Sequence, residues 1–181
     1  MSYDVLFVSS NKNKFNEAKN ILSKDGINLG FFKNSLKEIQ ADSLKEIAAQ
    51  KADEAYRLIQ KPLIIEDAGL FIESLNGFPG PFSSYVFKTI GNLGILRLVK
   101  TNRKAKFQSV IAYCDNKHGV VLFDSKVEGK ISKSSMGKGW GYDPIFIPHS
   151  HNKTYAMLAN KNEISHRYKA LKKFSNWFVR K

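Results

Sequence analysis

The sequence predicts an α/β protein. Three observations point there. Val5-Leu6-Phe7-Val8 is a continuous apolar run of the kind buried strands carry, and it passes through a polar loop into a helical periodicity. Ser43-Leu44-Lys45-Glu46 has the capping-box pattern of a helix start. From Lys106 to Ile131 the pattern changes to segments rich in β-branched and aromatic residues. A length of 181 residues suits one domain over residues 1–181 with a sizeable core, and 43% hydrophobic with 12% aromatic residues suits a soluble globular chain.

Taken in order, the first strand ends in Ser9-Ser10-Asn11-Lys12-Asn13-Lys14, and a helix follows with Phe15, Ala18, Ile21 and Leu22 on one face and Gly26 as its stop. A strand, a short polar loop and a helix N-terminus form a place for an anion, because free N–H groups and the helix dipole point at it. The loop lacks the glycines of a Walker loop, and a plain polar N-cap with exposed lysines explains it equally well. Residues 31–42 read as irregular and include Glu38. The helix from Ser43 carries Ile47, Ala48, Ala52, Ala55 and Ile59 inward and ends by Pro62; Lys51 falls near its apolar stripe, either snorkelling or reaching into a cleft.

Ile64 and Ile65 run into adjacent carboxylates, Glu66 and Asp67, and Leu70–Ile72 then leads into Gly77-Phe78-Pro79-Gly80-Pro81. The first half reads as a buried strand ending in acid, the second as a stiff turn. Carboxylates there are costly unless a metal, a basic side chain or a proton compensates them; a pair of solvated loop acids is the plainer reading. A helix is expected from about Gly94 to Lys100. Phe107–Tyr113, Val120–Phe123 and Lys126–Ile131 read as strands, with Asp115–Gly119 as a hairpin connection. Gly137 to Pro144, with three glycines among Trp140, Tyr142 and Asp143, reads as a loop that approaches a flat ligand, or as a turn with both aromatics in the core. Phe146-Ile147 is a short strand ended by Pro148, and 153–161 a loop. The last helix starts near Asn162 and turns Ala170, Leu171, Phe174, Trp177 and Phe178 inward. His166 and Arg167 lie in its first turn, where cations are electrostatically disfavoured. For His166 alone, a hydrogen-bonded structural histidine is the commoner case.

Lys and Arg number 29 against 16 Asp and Glu, a net charge of +13. Such a surplus attracts nucleic acid, anionic membrane or small phosphorylated substrates. Cys114 is the only cysteine, so no intrachain disulfide forms, which suits a reducing compartment; its apolar run FQSVIAYC reads as core. Met1-Ser2-Tyr3-Asp4 shows no basic leader or cleavage site, and no apolar run approaches ~20 residues. The expectation is a cytoplasmic protein with no membrane partner.

Four stretches in this order and spacing, SSNKNKFNE (9–17), EDAGLFIESLNGFPGPFSS (66–84), GWGYDPIF (139–146) and NEISHRYKAL (162–171), resemble the inosine/xanthosine triphosphate pyrophosphatase family, the HAM1-like purine NTP pyrophosphatases. The resemblance covers nearly the whole chain. It implies a long mixed central sheet flanked by helices, with two lobes and an active-site cleft between them. It implies Mg²⁺-dependent hydrolysis of ITP, dITP or XTP to the monophosphate and pyrophosphate by a homodimer that cleanses the nucleotide pool. Residue by residue, it implies phosphate binding by Ser9, Ser10, Asn11, Lys12, Asn13 and Lys14, with Lys14 also catalytic. Asp67 matches the proton acceptor and a metal position, Glu38 a second metal carboxylate with Glu66 the weaker candidate, and Lys51 a substrate contact. Ala68 and Ser84 fall at substrate positions of the second motif. Trp140, Gly141, Tyr142, Asp143, Lys161, His166 and Arg167 match the nucleoside end, with Trp140 or Tyr142 stacking on the base and Lys161 or Arg167 donating to its O6. Ala68 stands where the family usually has Ser or Thr, Ser10 where Gly is common, and Met157 where an acid is frequent, in a 155–161 segment shorter than usual.

Two rivals remain. A Maf-like pyrophosphatase shares the chemistry with another base preference. A basic nucleic-acid-binding module would use the +13 charge and the aromatic hairpin 107–131. Acids inside the motifs speak against the second, because they repel phosphate unless a cation intervenes.

Overall fold

The first apolar run forms strand β1 (Val5–Val8), and the helical periodicity after it forms α1 (Lys12–Leu22), closed by a short 3₁₀ turn and Gly26 in the left-handed region. The computed structural model describes residues 3–36 and 39–181. The remaining strands are β2 (Leu29–Phe32), β3 (Leu63–Ile72), β4 (Pro79–Gly80), β5 (Lys104–Asp115), β6 (Gly119–Ile131) and β7 (Phe146–Pro148). The remaining helices are α2 (Leu44–Ile59), α3 (Ser83–Thr89), α4 (Gly91–Leu98), α5 (Lys161–Ile164) and α6 (His166–Phe178). The strands make one mixed sheet in the order β2-β1-β3-β5-β6-β7, with β4 paired to β3 outside that path. β1 runs parallel to β2 and β3, while β3–β4 and β6–β7 are antiparallel.

Four expectations are corrected. β2 lies partly in the stretch read as irregular. Its Gly30 conceals it from propensity, and the reason is space: a Cβ there would meet the Tyr3 ring at 2.6 Å and Leu6 at 2.7 Å. β3 does not end at Glu66-Asp67 but continues through Ala68-Gly69 to Ile72, because an apolar stretch follows the acids and both carboxylates are accommodated inside the strand. The stretch after the FPGPF turn is helical as α3, and the next helix begins at Gly91, not Gly94. The C-terminal helix is broken at Ser165, whose extended backbone (ψ 159°) separates α5 from α6.

The chain divides into two compact units. The first comprises Met1–Asp67, Ser109–Ser125 and Arg167–Lys181. Its core joins Val5 and Phe7 of β1, Ala18, Ile21 and Leu22 of α1, Ile64 of β3, Ile111 and Tyr113 of β5, and Ala170, Leu171 and Phe174 of α6. The α6 positions are those that the helical periodicity turns inward. The second unit comprises Ala68–Gln108 and Lys126–His166. Its core joins Leu70 and Ile72, Val86 of α3, Ile95 of α4, Phe107, Val127, Ile131, Tyr142, Ile145, Phe146 and Tyr155. The hairpin aromatics Phe107 and Tyr113 are 7% and 0% exposed. They are core, so the stacking face that a nucleic-acid-binding hairpin requires is not offered by these two rings. Cys114 is buried too, and burial first, with the nearby Asp53 and Asp115 charges, pushes its thiol pKa up, away from nucleophilic use.

Candidate active site

In the first unit the turn between β1 and α1 is built by side-chain capping. Asn11 is the N-cap, and its Oδ1 accepts the amides of Asn13 (2.9 Å) and Lys14 (3.2 Å), while Ser9 Oγ accepts the amide of Asn11 (3.0 Å). This corrects the expectation of free amides aimed at an anion: these three are already engaged. What the turn presents is cationic. Ser10, Lys12 and Asn13 are exposed around it, and Lys14 reaches across to β3, where its Nζ donates to the main-chain carbonyl of Glu66 at 3.3 Å.

That contact lies next to Asp67, which is 8% exposed. Lys51 of α2 brings its Nζ to 3.9 Å from Asp67 Oδ2, with the lysine side chain 12% exposed. The lysine near the apolar stripe of α2 therefore points at the acid rather than snorkelling to solvent. Nearly buried Asp67 and Lys51, with half-buried Lys14 anchored on the adjacent carbonyl, bring together one carboxylate and two cations, able to hold phosphate oxygens and to accept a proton.

Glu66, one residue earlier and on the opposite side of the strand, does something else. Its Oε1 accepts from Ser109 Oγ (2.9 Å), and its Oε2 accepts from Arg167 Nε (2.7 Å). Arg167 Nη1 donates in turn to Glu17 Oε2 of α1 at 2.5 Å. The Arg167 side chain is 3% exposed. Burial alone would lower its pKa, but the charges of Glu66 and Glu17 and their hydrogen bonds more than offset this and hold it above the ordinary guanidinium value. Sequence reasoning placed Arg167 at the nucleoside end and Glu66 among metal ligands. The structure instead joins them as an ion pair, the basic-side-chain answer to the buried acid. Ser109 and Glu17 were not foreseen. Glu17 has a signal in hindsight, three residues after Lys14 on one helix face; Ser109, inside an apolar strand, has none.

The second unit holds the glycine-rich motif of residues 137–144 and Lys161. Asp143 accepts a hydrogen bond from Lys161 Nζ at 2.5 Å, and both side chains are about a tenth exposed. The same ammonium lies over the Trp140 ring, 5.2 Å from its centroid. Asn92 of α4 donates to the Gly141 carbonyl (3.0 Å) and so fastens the loop. Gly137 sits at φ +80°, and a Cβ on it would come within 3.0 Å of the Ala156 backbone and 2.8 Å of Met157. Tyr142 is a core residue: 5% exposed, hydroxyl donating to the Ser83 carbonyl (3.0 Å), ring edge-on to Phe87. That excludes Tyr142 as the stacking ring and leaves Trp140. His166 lies flat on Phe107, 4.5 Å between centroids and 6° between planes. Ala68 is half-buried in β3 and Ser84 exposed on α3.

The donor set tests the magnesium expectation. Glu38 lies outside the described residues. Among the described residues no group of three or more His, Cys, Asp or Glu side chains could hold a metal. Both Glu66 oxygens are occupied by protein donors. Asp67 fits the usual magnesium arrangement of one or two carboxylates completed by substrate phosphates and water.

Residues 5–177 match the model of the Ham1 family. The chain is 48% identical over 179 residues to a dITP/XTP pyrophosphatase of Methanopyrus kandleri, covering 96% of this chain and 95% of that one. It is 45% identical to a dITP/XTP pyrophosphatase of Korarchaeum cryptofilum, covering 97% and 96%. Among solved structures it resembles a HAM1 protein from Coxiella burnetii, with a TM-score of 0.83, 29% identity and coverage of 98% and 100%.

Proposed function

The chain belongs to the Ham1 family, and we propose that it hydrolyses the non-standard purine nucleoside triphosphates ITP, dITP and XTP to the monophosphate and pyrophosphate. The observation that carries this reading is the nearly buried Asp67–Lys51 pair, with Lys14 anchored on the carbonyl of the adjacent Glu66, in a chain similar over nearly its full length to dITP/XTP pyrophosphatases.

Asp67 accepts the proton of the water that attacks the α-phosphorus. Lys14 and Lys51 hold phosphate oxygens and offset the charge that accumulates on the leaving pyrophosphate. Asp67, and Glu38 by family resemblance, are the residues that would hold Mg²⁺. When bound, the ion polarises the triphosphate and lowers its repulsion for the attacking oxygen. Capping occupies the amides of Asn11, Asn13 and Lys14, so Asn13 and Lys14 reach phosphate through their side chains, while Ser10 and Lys12 serve by side chain or amide.

Trp140 takes the purine face. Hypoxanthine and xanthine carry an acceptor at C6 where adenine carries an NH₂ donor. Arg167 engages Glu66 and Glu17 through Nε and Nη1, and Lys161 engages Asp143, so the donor to O6 comes from their remaining N–H groups or from loop amides. A donor facing adenine is left unpaired at about 1–3 kcal/mol, or roughly 5- to 150-fold per donor. The enzyme works in the cytoplasm as a homodimer, which sedimentation equilibrium tests. No helix among the described residues is long and apolar enough to cross a membrane.

The deciding experiment is pyrophosphate release from ITP with and without Mg²⁺, followed by a kcat/KM panel of ITP, XTP, GTP and ATP. Release from ITP that stops on chelation supports the reading. No release, or ATP turned over as well as ITP, refutes it.

A further inference from the structure

We infer that Glu17 is a positioning residue for this reaction: through Arg167 and Glu66 it fixes the segment of β3 that carries Asp67 and the carbonyl that anchors Lys14. The inference rests on the proposed pyrophosphatase activity and assigns a role to Glu17 and Ser109, which lie outside the phosphate, base and metal sets.

α1 reaches β3 by two routes. Lys14 donates directly to the Glu66 carbonyl (3.3 Å). Glu17, three residues on, accepts from Arg167 Nη1 (2.5 Å), and Arg167 Nε donates to the Glu66 carboxylate (2.7 Å). Residues three apart share a helix face, so one stripe of α1 grips one residue of β3 by its main chain and by its side chain. Ser109 of β5 holds the remaining Glu66 oxygen at 2.9 Å. Glu66 is thereby gripped from α1, α6 and β5, and Asp67 is bonded to it.

The arrangement is costly as a means of stability alone. The Arg167 and Glu66 side chains are 3% and 0% exposed, and Glu17 is 13% exposed. Burying these charges costs desolvation, whereas an apolar cluster of similar volume is often as stable or more so. What ions add is direction. The planar guanidinium fork donates to its partners at set angles, so it defines where Glu66 sits along β3. A general base must lie within hydrogen-bond reach of its water, and a misplacement of ~1 Å costs ~10²-fold in rate.

The test is Glu17→Gln, which keeps the size and an acceptor oxygen but removes the charge. Rates are measured on ITP well below the melting temperature, with a double-mutant cycle against Asp67→Asn. The expected result is kcat lowered ~10-fold, part of the full misplacement effect, with KM changed less than ~3-fold. In the Asp67→Asn background the same substitution should change kcat less than ~2-fold, because a residue that acts through Asp67 has nothing left to position. Ser109→Ala, which releases the other Glu66 oxygen without altering charge, should show the same coupling at smaller size and serves if Glu17→Gln does not fold. Equal losses of kcat in both backgrounds, or a changed melting temperature with kcat intact, overturn the inference alone. A wild-type chain that releases no pyrophosphate from ITP overturns the inference and the activity together.

Discussion

His166 and Arg167 are neighbours in sequence, yet each is held by a different kind of physics. His166, the last residue of the second unit, lies flat on Phe107. Arg167, the first residue of the chain's return to the first unit, is clamped between two carboxylates. The contrast extends to the units. In the first, the side chains around Glu66 and Asp67 are placed by buried charges: Lys51 on Asp67, Arg167 on Glu66 and Glu17. In the second, the nearly buried Lys161–Asp143 pair sits among rings and loop hydrogen bonds that do most of the placing: Phe107 against Phe146, Tyr142 against Phe87, Asn92 on Gly141. Charge placement is directional and expensive to break, because removing one partner strands the other in low dielectric. Ring placement is set by shape and tolerates substitutions that conserve volume.

The largest expected effect tests that contrast directly. Arg167→Met should destabilise the fold by about 3–5 kcal/mol, since Glu66 and Glu17 lose their shared cation. His166→Leu should cost less than about 1.5 kcal/mol. Urea unfolding of both variants measures the difference, and equal costs would remove the distinction. Next, Asp67→Asn should lower kcat on ITP by ~10²-fold or more, the scale of general-base catalysis. A melting temperature close to wild type would separate this chemical loss from the structural one at Arg167.

Smaller effects concern the hydroxyls and the acid response. Asp115, in the first unit, accepts from the Tyr113 hydroxyl (2.5 Å), from the amides of Lys117 and His118, and pairs with Lys181. Burial pushes its pKa up, but these donors outweigh burial and hold it well below the ordinary aspartate range. A depressed folded pKa stabilises the protein above the unfolded value of about 3.9, and that contribution fades as pH falls through the folded value. Asp115→Asn should therefore cost about 1.5–3 kcal/mol at neutral pH, with a loss that shrinks below about pH 4. Unfolding midpoints from pH 3 to 7 check both size and sign. Tyr142→Phe, in the second unit, removes one donor from the Ser83 carbonyl and should cost only about 1 kcal/mol, read from the same unfolding curves.

Much of the local architecture was legible along the chain. Val5–Val8, the Ser43 cap, the inward face of the last helix and the hairpin connection at Asp115 all depend on contacts within a few residues. Where reading failed, a local rule met a distant partner. Gly30 hides β2 because the Tyr3 and Leu6 side chains take the space beside it. The acids of β3 looked like a strand end because nothing nearby could neutralise them. Tyr142 looked like a stacking ring in a glycine loop, and packing against Phe87 and Ser83 made it core.

By itself, the sequence determined the α/β pattern, the cationic turn after β1, the acidic pair in β3 and the ordered set of motifs that marks the family. It could not determine which acid faces the lysines and which takes the arginine. That choice rests on Arg167 meeting Glu66 across 101 positions and Glu17 across 150. Helix and strand periodicities express interactions within a turn or two of chain, whereas a buried ion pair is selected only when folding brings two desolvated charges together. Tertiary structure therefore divided Glu66 from Asp67, turning one of two adjacent carboxylates into a clamp and leaving the other beside the lysines.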